Sequence, residues 1–443
     1  MEEEEDGKSE PLVRIQFLTD HERYKVTETS IAVPIRLARR GLSEVINHLL
    51  SLDPPVPFDF LHLDTQKLVR NSLEKFLAAE EISRENVVKL KYAPSLPEPE
   101  SKASETTDDW IGSVDSKRKC DSAEDLSYVV TGCYDGTLQL HSLDGNGKLI
   151  NLETVSAHRG STKCVSQCIV GNHFIASGGS DGQVKIWSVD NNKSLGLRAQ
   201  CIGHRNKVET VSAVNVGSHV VVASGGWDRS VCLWKVNMES SDSTEENGSD
   251  SKTVKKRKVS GETQAKLIKL EGPSCAMNEH TDNVSAIVWG GERNPVTLYS
   301  GSWDHSLRSW DVTRECCTAT LNGNKVVTSL SFSESSQMLA SGHADNTVRL
   351  WDARAHGDSI VKFELTSHKK WVSDLAWSKT NDHLLVSVSH DNTMKLWDIR
   401  AKIPLYSLTP HTSKALCVDW NHSCKQIVSG GADSKLEVHT LDS

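Results

Sequence analysis

Short apolar runs alternate with clusters of small polar residues from about residue 110 to the end of the chain. Residues 299–311, YSGSWDHSLRSWD, show the pattern: one apolar run leads into the polar cluster, and a second run carrying Leu307 and Trp310 leaves it. Glycine, serine and aspartate between apolar runs are typical of turns, so this stretch predicts two strands joined by a tight hairpin. An isolated hairpin is only marginally stable in water, so this one requires neighbouring strands.

The stretch recurs seven times, and the aspartate of its turn marks each copy. The aspartates are Asp135, Asp181, Asp228, Asp304, Asp345, Asp391 and Asp433. Four residues earlier stands a serine or threonine: Thr131, Ser177, Ser224, Ser300, Ser341, Ser387 or Ser429. Six residues later five copies have a tryptophan, and the first and last have a histidine: Trp187, Trp234, Trp310, Trp351 and Trp397, then His141 and His439. About twenty-three residues before the aspartate, five copies have a histidine: His158, His204, His280, His368 and His411.

This repeat resembles the WD-repeat family, whose units of roughly 40–45 residues each form one four-stranded propeller blade. Successive aspartates are mostly 41 to 47 residues apart, and the dipeptide Trp-Asp occurs at 310–311, 351–352 and 397–398. The interval from Asp228 to Asp304 is 76 residues, which indicates an insertion at 237–266 that is polar and charged, as in disordered segments. The resemblance implies a mainly β fold with a seven-bladed propeller over 110–443.

The recurring His, Asp, Ser and Trp have two interpretations. Ser, His and Asp together could form a hydrolytic triad, but a catalytic set occurs once in a chain and this set occurs about five times. In the WD-repeat family these residues form a buried hydrogen-bond network in each blade. The resemblance therefore implies a structural role and no enzymatic activity.

The N-terminal region has a different pattern. After the acidic residues 1–10, which we expect to be disordered, alternating apolar residues around a polar turn predict a β-hairpin. Leu42, Val45, Ile46, Leu49 and Leu50 follow with helical spacing, and two further strands are predicted near 57–63 and 86–92. This order predicts a small α+β domain of the ubiquitin-like β-grasp type at 11–93. Residues 94–109, rich in Pro, Glu, Ser and Thr, predict a linker. The last repeat ends almost at residue 443, so its outer strand should come from the N-terminal side, although the linker composition does not favour a strand.

The segments GLSEVINHLL (41–50) and PVPFDFL (55–61) are similar to the N-terminal ubiquitin-like domain of Notchless and of the WD-repeat subunit of the Pescadillo–Bop complex. This resemblance implies a role in assembly of the large ribosomal subunit and docking on the AAA ATPase midasin. In that family an acidic residue in a Ser-x-Glu motif completes the coordination of a magnesium ion held by midasin. The motif corresponds here to Ser83, Arg84 and Glu85, with Glu80 and Glu81 as nearby alternatives. No cofactor of its own is implied.

Composition and charge narrow the function further. The formal net charge of −9 argues against a general nucleic-acid binder, and no apolar run is long enough to cross a membrane. The eleven cysteines include no CxxC pair, which suits a reducing compartment, and the acidic start is not typical of a signal peptide. Lys255, Lys256, Arg257 and Lys258 resemble a nuclear-import signal, which predicts the nucleus, nucleolus and nucleoplasm as the location.

The residue directly before each turn aspartate, here called the rim residue, should lie at the edge of the propeller. Three rim residues are large aromatics, Tyr134, Trp227 and Trp303, and exposed aromatics are favoured in binding hot spots. Packing against neighbouring loops is the alternative interpretation of these side chains.

The sequence therefore predicts a non-catalytic assembly factor of the large ribosomal subunit and of pre-rRNA processing. Its partners would be Pescadillo and Bop homologues, midasin and pre-ribosomal particles of the large subunit, with no small-molecule substrate. Two alternatives remain: a Notchless-type midasin-binding factor, although that family carries eight repeats, and a substrate adaptor of the ubiquitin pathway.

Overall fold

The computed structural model describes residues 11–118, 127–144, 147–170, 172–190, 192–216, 219–238, 267–291, 296–354, 363–421 and 426–441. These residues form a small N-terminal unit and a large C-terminal unit of seven sheets. No helix in these ranges is long and apolar enough to span a membrane.

The N-terminal unit is a five-stranded sheet with two helices. Its elements are β1 (Leu12–Leu18), β2 (Ile31–Pro34), α1 (Arg39–Leu50), β3 (Phe58–His62), β4 (Lys67–Leu68), α2 (Leu73–Ala79) and β5 (Val88–Pro94). The strand order is β2-β1-β5-β3-β4, with β1 and β5 parallel at the centre, as in a β-grasp. A short 3-10 helix at Glu22–Tyr24 lies between β1 and β2. The sequence pattern did not indicate α2, because seven residues give too little helical periodicity.

The core of this unit follows the alternation of the sequence. Val13, Ile15 and Phe17 of β1 point to the same side of the sheet, where Leu42 and Ile46 of α1 are fully buried. Burial of each of these side chains contributes roughly 1.5–3 kcal/mol. Leu77 of α2 and Val88 of β5 belong to the same core, which therefore fixes both ends of the turn between these two elements.

The C-terminal unit consists of seven blades, which confirms the predicted fold class. The strands of blades 1 to 3 are β7 (Ile111–Arg118), β8 (Ser127–Cys133), β9 (Thr137–Leu143) and β10 (Leu149–Ser156); β11 (Thr162–Val170), β12 (Asn172–Gly179), β13 (Gln183–Val189) and β14 (Leu195–Ile202); and β15 (Val208–Val216), β16 (His219–Gly226), β17 (Val231–Asn237) and β19 (Cys275–Met277). The strands of blades 4 to 6 are β20 (Val284–Trp289), β21 (Thr297–Ser302), β22 (Ser306–Asp311) and β23 (Cys316–Asn322); β24 (Val327–Ser333), β25 (Met338–His343), β26 (Thr347–Asp352) and β27 (Phe363–Thr366); and β28 (Val372–Trp377), β29 (Leu384–Ser389), β30 (Met394–Asp398) and β31 (Tyr406–Leu408). Blade 7 contains β32 (Ala415–Trp420), β33 (Gln426–Gly431), β34 (Lys435–Thr440) and β6 (Glu100–Thr106).

Residues 100–106 correct the prediction of a linker over 94–109. They form β6, which pairs antiparallel with β34 and so supplies the outer strand of the last blade from the N-terminal side. Ser104 Oγ donates to Glu437 Oε1 at 2.6 Å, and Ser101 Oγ donates to Glu437 Oε2 at 3.2 Å. An outer strand has one solvated face and needs few apolar residues, so its polar composition looks like that of a linker.

The predicted insertion at 237–266 also needs a correction at its start, because Asn237 belongs to β17. Residues 239–266 lie outside the described residues. After them, β18 (Ile268–Leu270) pairs in parallel with β14 and adds a fifth strand to the sheet of blade 2.

Replacing Ser101 and Ser104 together by alanine should lower the free energy of unfolding by roughly 2–4 kcal/mol, because the buried Glu437 carboxylate loses two donors. The midpoint of urea denaturation measures the change. As a control, Thr106→Ala in the same strand changes an exposed side chain and should alter stability by less than about 0.5 kcal/mol. Equal losses in the two proteins would contradict the role of this contact in holding β6.

Candidate interaction sites

The repeated His, Asp, Ser and Trp form one connected network inside a blade. In blade 4, His280 Nδ1 donates to Asp304 Oδ2 at 2.8 Å, and its Nε2 lies 2.7 Å from Ser300 Oγ. Trp310 Nε1 donates to the same hydroxyl at 2.8 Å. Blades 2 and 3 repeat these contacts with His158, Ser177, Asp181 and Trp187, and with His204, Ser224, Asp228 and Trp234. The His–Asp and His–Ser contacts recur in blades 6 and 7 with His368, Ser387 and Asp391, and with His411, Ser429 and Asp433.

The geometry of this network does not suit a hydrolytic triad. The serine hydroxyl is the hub of the contacts, and Ser300, like its four counterparts, is 0% exposed. A nucleophilic serine must reach its substrate, and a fully buried hydroxyl cannot do so. The network instead fixes the loop that carries the histidine and the turn that carries the aspartate to two strands of the blade.

The aspartates of the network are stabilised as carboxylates. Burial raises the pKa of the Asp304 carboxyl, but the hydrogen bonds from His280, Ser306 and the Thr281 backbone N–H lower it more, so the pKa falls below its ordinary value. The same balance lowers the pKa of Asp181, Asp228, Asp391 and Asp433.

In blade 5 the serine hydroxyl has different hydrogen-bond partners. It lacks the upstream histidine, and His343, two residues after Ser341, places Nε2 2.8 Å from the Ser341 hydroxyl. Trp351 donates to that hydroxyl at 2.7 Å, and Arg349 donates to Asp345 at 2.6 Å. Burial, together with the Arg349 charge, lowers the pKa of His343 to about 4, so this imidazole is neutral.

The repeat tryptophan of blade 6, Trp397, is fully buried, like Trp310 of blade 4.

Two positions in each blade lie side by side at one mouth of the central channel. The backbone N–H of each rim residue donates to the carbonyl of the residue directly before the inner strand, here called the pre-strand residue. The pairs, from blade 1 to blade 7, are Tyr134 with Trp110, Ser180 with Ser161, Trp227 with Lys207, Trp303 with Asn283, Ala344 with Val326, His390 with Trp371 and Ala432 with Lys414. The inner strands all begin at this mouth, so these fourteen residues surround it. The sequence pattern indicated the rim residues but not the pre-strand residues, although in blades 2 to 7 these recur 19 to 21 residues before the aspartate.

Trp227 and Trp303 lie on neighbouring blades and contact each other. Their ring centroids are 6.2 Å apart, and the side chains remain 43% and 37% exposed. Trp227 Nε1 donates to Glu209 Oε2 at 3.0 Å, and the Lys207 ammonium lies 5.3 Å from the Trp227 ring centroid. The two rings thus pack partly on neighbours, yet keep more than a third of their surface open to solvent.

Tyr134 is more enclosed than the two tryptophans. Its ring lies 5.6 Å from that of Trp110, and its hydroxyl accepts a hydrogen bond from Lys163 Nζ at 2.9 Å. Trp110, which is 45% exposed, presents more aromatic surface at blade 1 than Tyr134 does.

In the N-terminal unit, Glu85 lies in the turn between α2 and β5 and is exposed. Its backbone N–H donates to Ser83 Oγ at 3.3 Å, while its carboxylate has no partner among the described residues. Glu80 differs, because both of its oxygens accept hydrogen bonds from Lys67 Nζ at 2.9 and 2.7 Å. Glu81 is exposed and has a positive φ of 56°. Of the three candidates, Glu80 is therefore occupied within the fold, whereas Glu81 and Glu85 are open.

Two further predictions from the sequence concern the nuclear-import signal and metal binding. Lys255, Lys256, Arg257 and Lys258 fall outside the described residues. Among the residues that the structure describes, no three His, Cys, Asp or Glu side chains are arranged as metal ligands.

Comparisons with known proteins match both parts of the chain. Residues 13–77 match the family model described as NLE (NUC135) domain. Six segments match the model described as WD domain, G-beta repeat: 150–188, 196–235, 273–311, 315–352, 359–398 and 402–439. Most of blade 1, which lacks the histidine and tryptophan of the repeat, is not among these segments.

Relatives align along nearly the whole chain. A protein of Chlamydomonas reinhardtii is 36% identical over 98% of this chain and 98% of its own length, and one of Oryza sativa subsp. japonica is 35% identical over 97% of each. A protein of Nematostella vectensis is 33% identical over 96% of this chain and 98% of its own length. All three are named ribosome biogenesis protein WDR12 homolog.

Replacing Asp304 by asparagine should lower the free energy of unfolding by roughly 2 kcal/mol at neutral pH, because a charged acceptor for His280, Ser306 and Thr281 is lost. The pKa of this carboxyl is lowered in the folded state, so its contribution is present above the ordinary value of about 3.9 and is lost as the pH falls below it. The difference in the free energy of unfolding between Asp304→Asn and the wild type should therefore become smaller in acid.

Urea denaturation at several pH values measures this difference. Asp135→Asn is the matched control, because Asp135 holds the same turn position in blade 1 but, among the described residues, accepts hydrogen bonds only from Thr137. A loss for Asp135→Asn as large as that for Asp304→Asn would show that the histidine contributes nothing to the network.

Proposed function

The chain belongs to the family of the ribosome biogenesis protein WDR12 homologues, and we propose that it is a non-catalytic assembly factor of the large ribosomal subunit that also supports pre-rRNA processing. Family membership gives it a role in ribosome biogenesis. The finer proposal is that the propeller binds a Bop-type protein within a complex that also contains a Pescadillo homologue, and that the ubiquitin-like domain docks on midasin. The site of action is the nucleus, in the nucleolus and nucleoplasm.

The observation that carries the midasin proposal is the open carboxylate of Glu85. It lies in an exposed turn whose two ends are held by α2 and β5, and no described residue neutralises it. Val87, two residues later, is 41% exposed and offers an apolar contact beside the charge. Magnesium takes oxygen ligands and is commonly held by one or two carboxylates, so a single protruding carboxylate suits an ion held by another protein.

The rim supports the protein-binding part of the proposal. Trp227 and Trp303 form a contiguous aromatic pair of the kind that is enriched at the centre of protein interfaces. Seven blades also favour this function over that of a Notchless-type factor, whose family carries eight repeats. Nothing in the described residues specifically favours a ubiquitin-pathway adaptor.

Replacing Glu85 by glutamine should weaken binding of the full-length protein to the isolated metal-binding domain of midasin in magnesium by roughly 30-fold to several thousandfold. This range corresponds to the roughly 2–5 kcal/mol lost when one partner of a desolvated charge contact is removed. Glu81→Gln is the matched control, since it removes an exposed carboxylate from the same turn. Isothermal titration calorimetry measures both affinities. If Glu85→Gln bound as tightly as the wild type, midasin docking through this residue would be excluded.

Replacing Trp227 and Trp303 together by alanine should weaken binding of a recombinant Bop homologue at least tenfold, because aromatic hot spots contribute about 2 kcal/mol or more. The melting temperature should change little, since both side chains are partly exposed. Trp371→Ala is the control, as it removes a similarly exposed tryptophan from blade 6 at the same mouth. A large fall in melting temperature, with unchanged affinity, would assign the pair to folding instead.

A further inference from the structure

The rim and pre-strand residues of blade 6 form an aromatic platform. His390 and Trp371 are joined by the backbone hydrogen bond that recurs in every blade, at 3.0 Å here. Their rings are stacked, with centroids 6.1 Å apart and planes inclined by only 18°. Trp371 is 45% exposed, so much of its indole surface remains open to solvent beside the channel mouth.

Lys370 and Lys414 flank this platform, and Lys369 precedes Lys370 in the same loop. Lys369 and Lys370 directly precede Trp371, Lys414 is the pre-strand residue of blade 7, and all three side chains are exposed. None of them forms an ion pair with a carboxylate in the part of the chain that the structure describes. Burial lowers the pKa of His390, the charges of Lys414 and Lys370 lower it further, and the smaller effect of the Asp391 charge opposes them. These five residues, 369–371, 390 and 414, are called the blade 6 patch below.

The neighbouring carboxylate of Asp391 offsets the positive charge of the patch only in part. It accepts hydrogen bonds from the Lys369 backbone N–H at 2.8 Å, from Thr393 Oγ1 and from His368, so it is already used by the network of the blade. The Trp227–Trp303 pair has a different environment, because Glu209 bonds directly to the indole of Trp227. Among the described residues, no carboxylate bonds to a side chain of the blade 6 patch, while the Trp227–Trp303 pair includes an acidic partner.

The net charge of −9 does not exclude an anionic ligand at this place. Charges more than about 8 Å away are largely screened at physiological ionic strength, so the local groups decide the interaction. Stacked aromatic rings beside lysines are the arrangement that binds unpaired nucleotides, since the base stacks on the ring and the phosphates contact the ammonium groups. An acidic peptide would also pair with the lysines, but aspartate and glutamate side chains have no aromatic ring to stack on the exposed indole.

We propose that the blade 6 patch binds single-stranded RNA, with a base stacked on Trp371 and the backbone phosphates held by Lys369, Lys370 and Lys414. This site is separate from the protein-binding function proposed for Trp227 and Trp303, and neither proposal depends on the other. Base pairing would hide the faces of the bases, so duplex RNA should bind more weakly than a single strand.

The test uses the full-length protein and a fluorescein-labelled oligouridylate, with fluorescence anisotropy read at two salt concentrations. Trp371→Ala should weaken binding by roughly 5- to 150-fold, the range typical for loss of one base–aromatic stack, and Trp371→Phe should retain most of the affinity. Replacing the three lysines by glutamine should reduce the slope of log affinity against log salt by about 2, at about 0.7 for each lost phosphate contact on a single strand. Because the replaced side chains are exposed, the variants should fold like the wild type, and circular dichroism checks this.

Trp227→Ala is the matched control and should bind the oligonucleotide like the wild type. An equal loss for Trp227→Ala and Trp371→Ala would overturn the assignment to blade 6. The proposal would also fail if the wild type did not bind the oligouridylate, or if an oligoglutamate peptide displaced it completely at low concentration, in which case the patch would be a site for an acidic protein segment.

Discussion

The pairing of β6 with β34 determines whether the seven blades form a closed ring. Without β6, the last blade would expose the edge of β34, and an exposed strand edge pairs readily with other chains. The strand is held by backbone hydrogen bonds and by the two serine hydroxyls on Glu437, with little apolar burial. The arrangement of the channel mouth depends on this closure, because blade 1 can adjoin blade 7 only if the ring is complete.

Within each blade, the buried network decides which side chains face outward. In blades 2, 3, 4, 6 and 7 the turn aspartate is directed inward to its histidine, and in all seven blades the residue before it is fixed by its backbone N–H to the pre-strand carbonyl. The side chains at these two positions make no contribution to the network, so they are free to vary between blades. This explains why the same backbone hydrogen bond occurs with a tryptophan rim residue in blades 3 and 4, a stacked Trp–His pair in blade 6 and an alanine rim residue in blades 5 and 7.

Spacing in the sequence predicted the features that repeat and failed for those that occur once. The seven aspartates in register were sufficient for the propeller, and alternation in 11–93 was sufficient for the β-grasp core. By contrast, β6 has the polar composition of a linker, because only one of its faces packs against the protein. His343 was not expected to replace the missing histidine of blade 5, since it reaches Ser341 from two residues away. The exposure of Glu85 and the pairing of Glu80 with Lys67 depend on tertiary contacts that a turn sequence does not reveal.

The charge of the chain is also misleading as a guide to its surface at the channel mouth. The network aspartates contribute negative charge to the total, but each is largely buried and accepts several hydrogen bonds from its own blade. Their fields are thus compensated locally by histidine, hydroxyl and backbone donors. The side chains of Lys369, Lys370 and Lys414 at the same mouth take no part in the network and remain in solvent. A protein with net negative charge can therefore present a cationic surface at blade 6, because the fold buries Asp391 and leaves Lys369, Lys370 and Lys414 exposed.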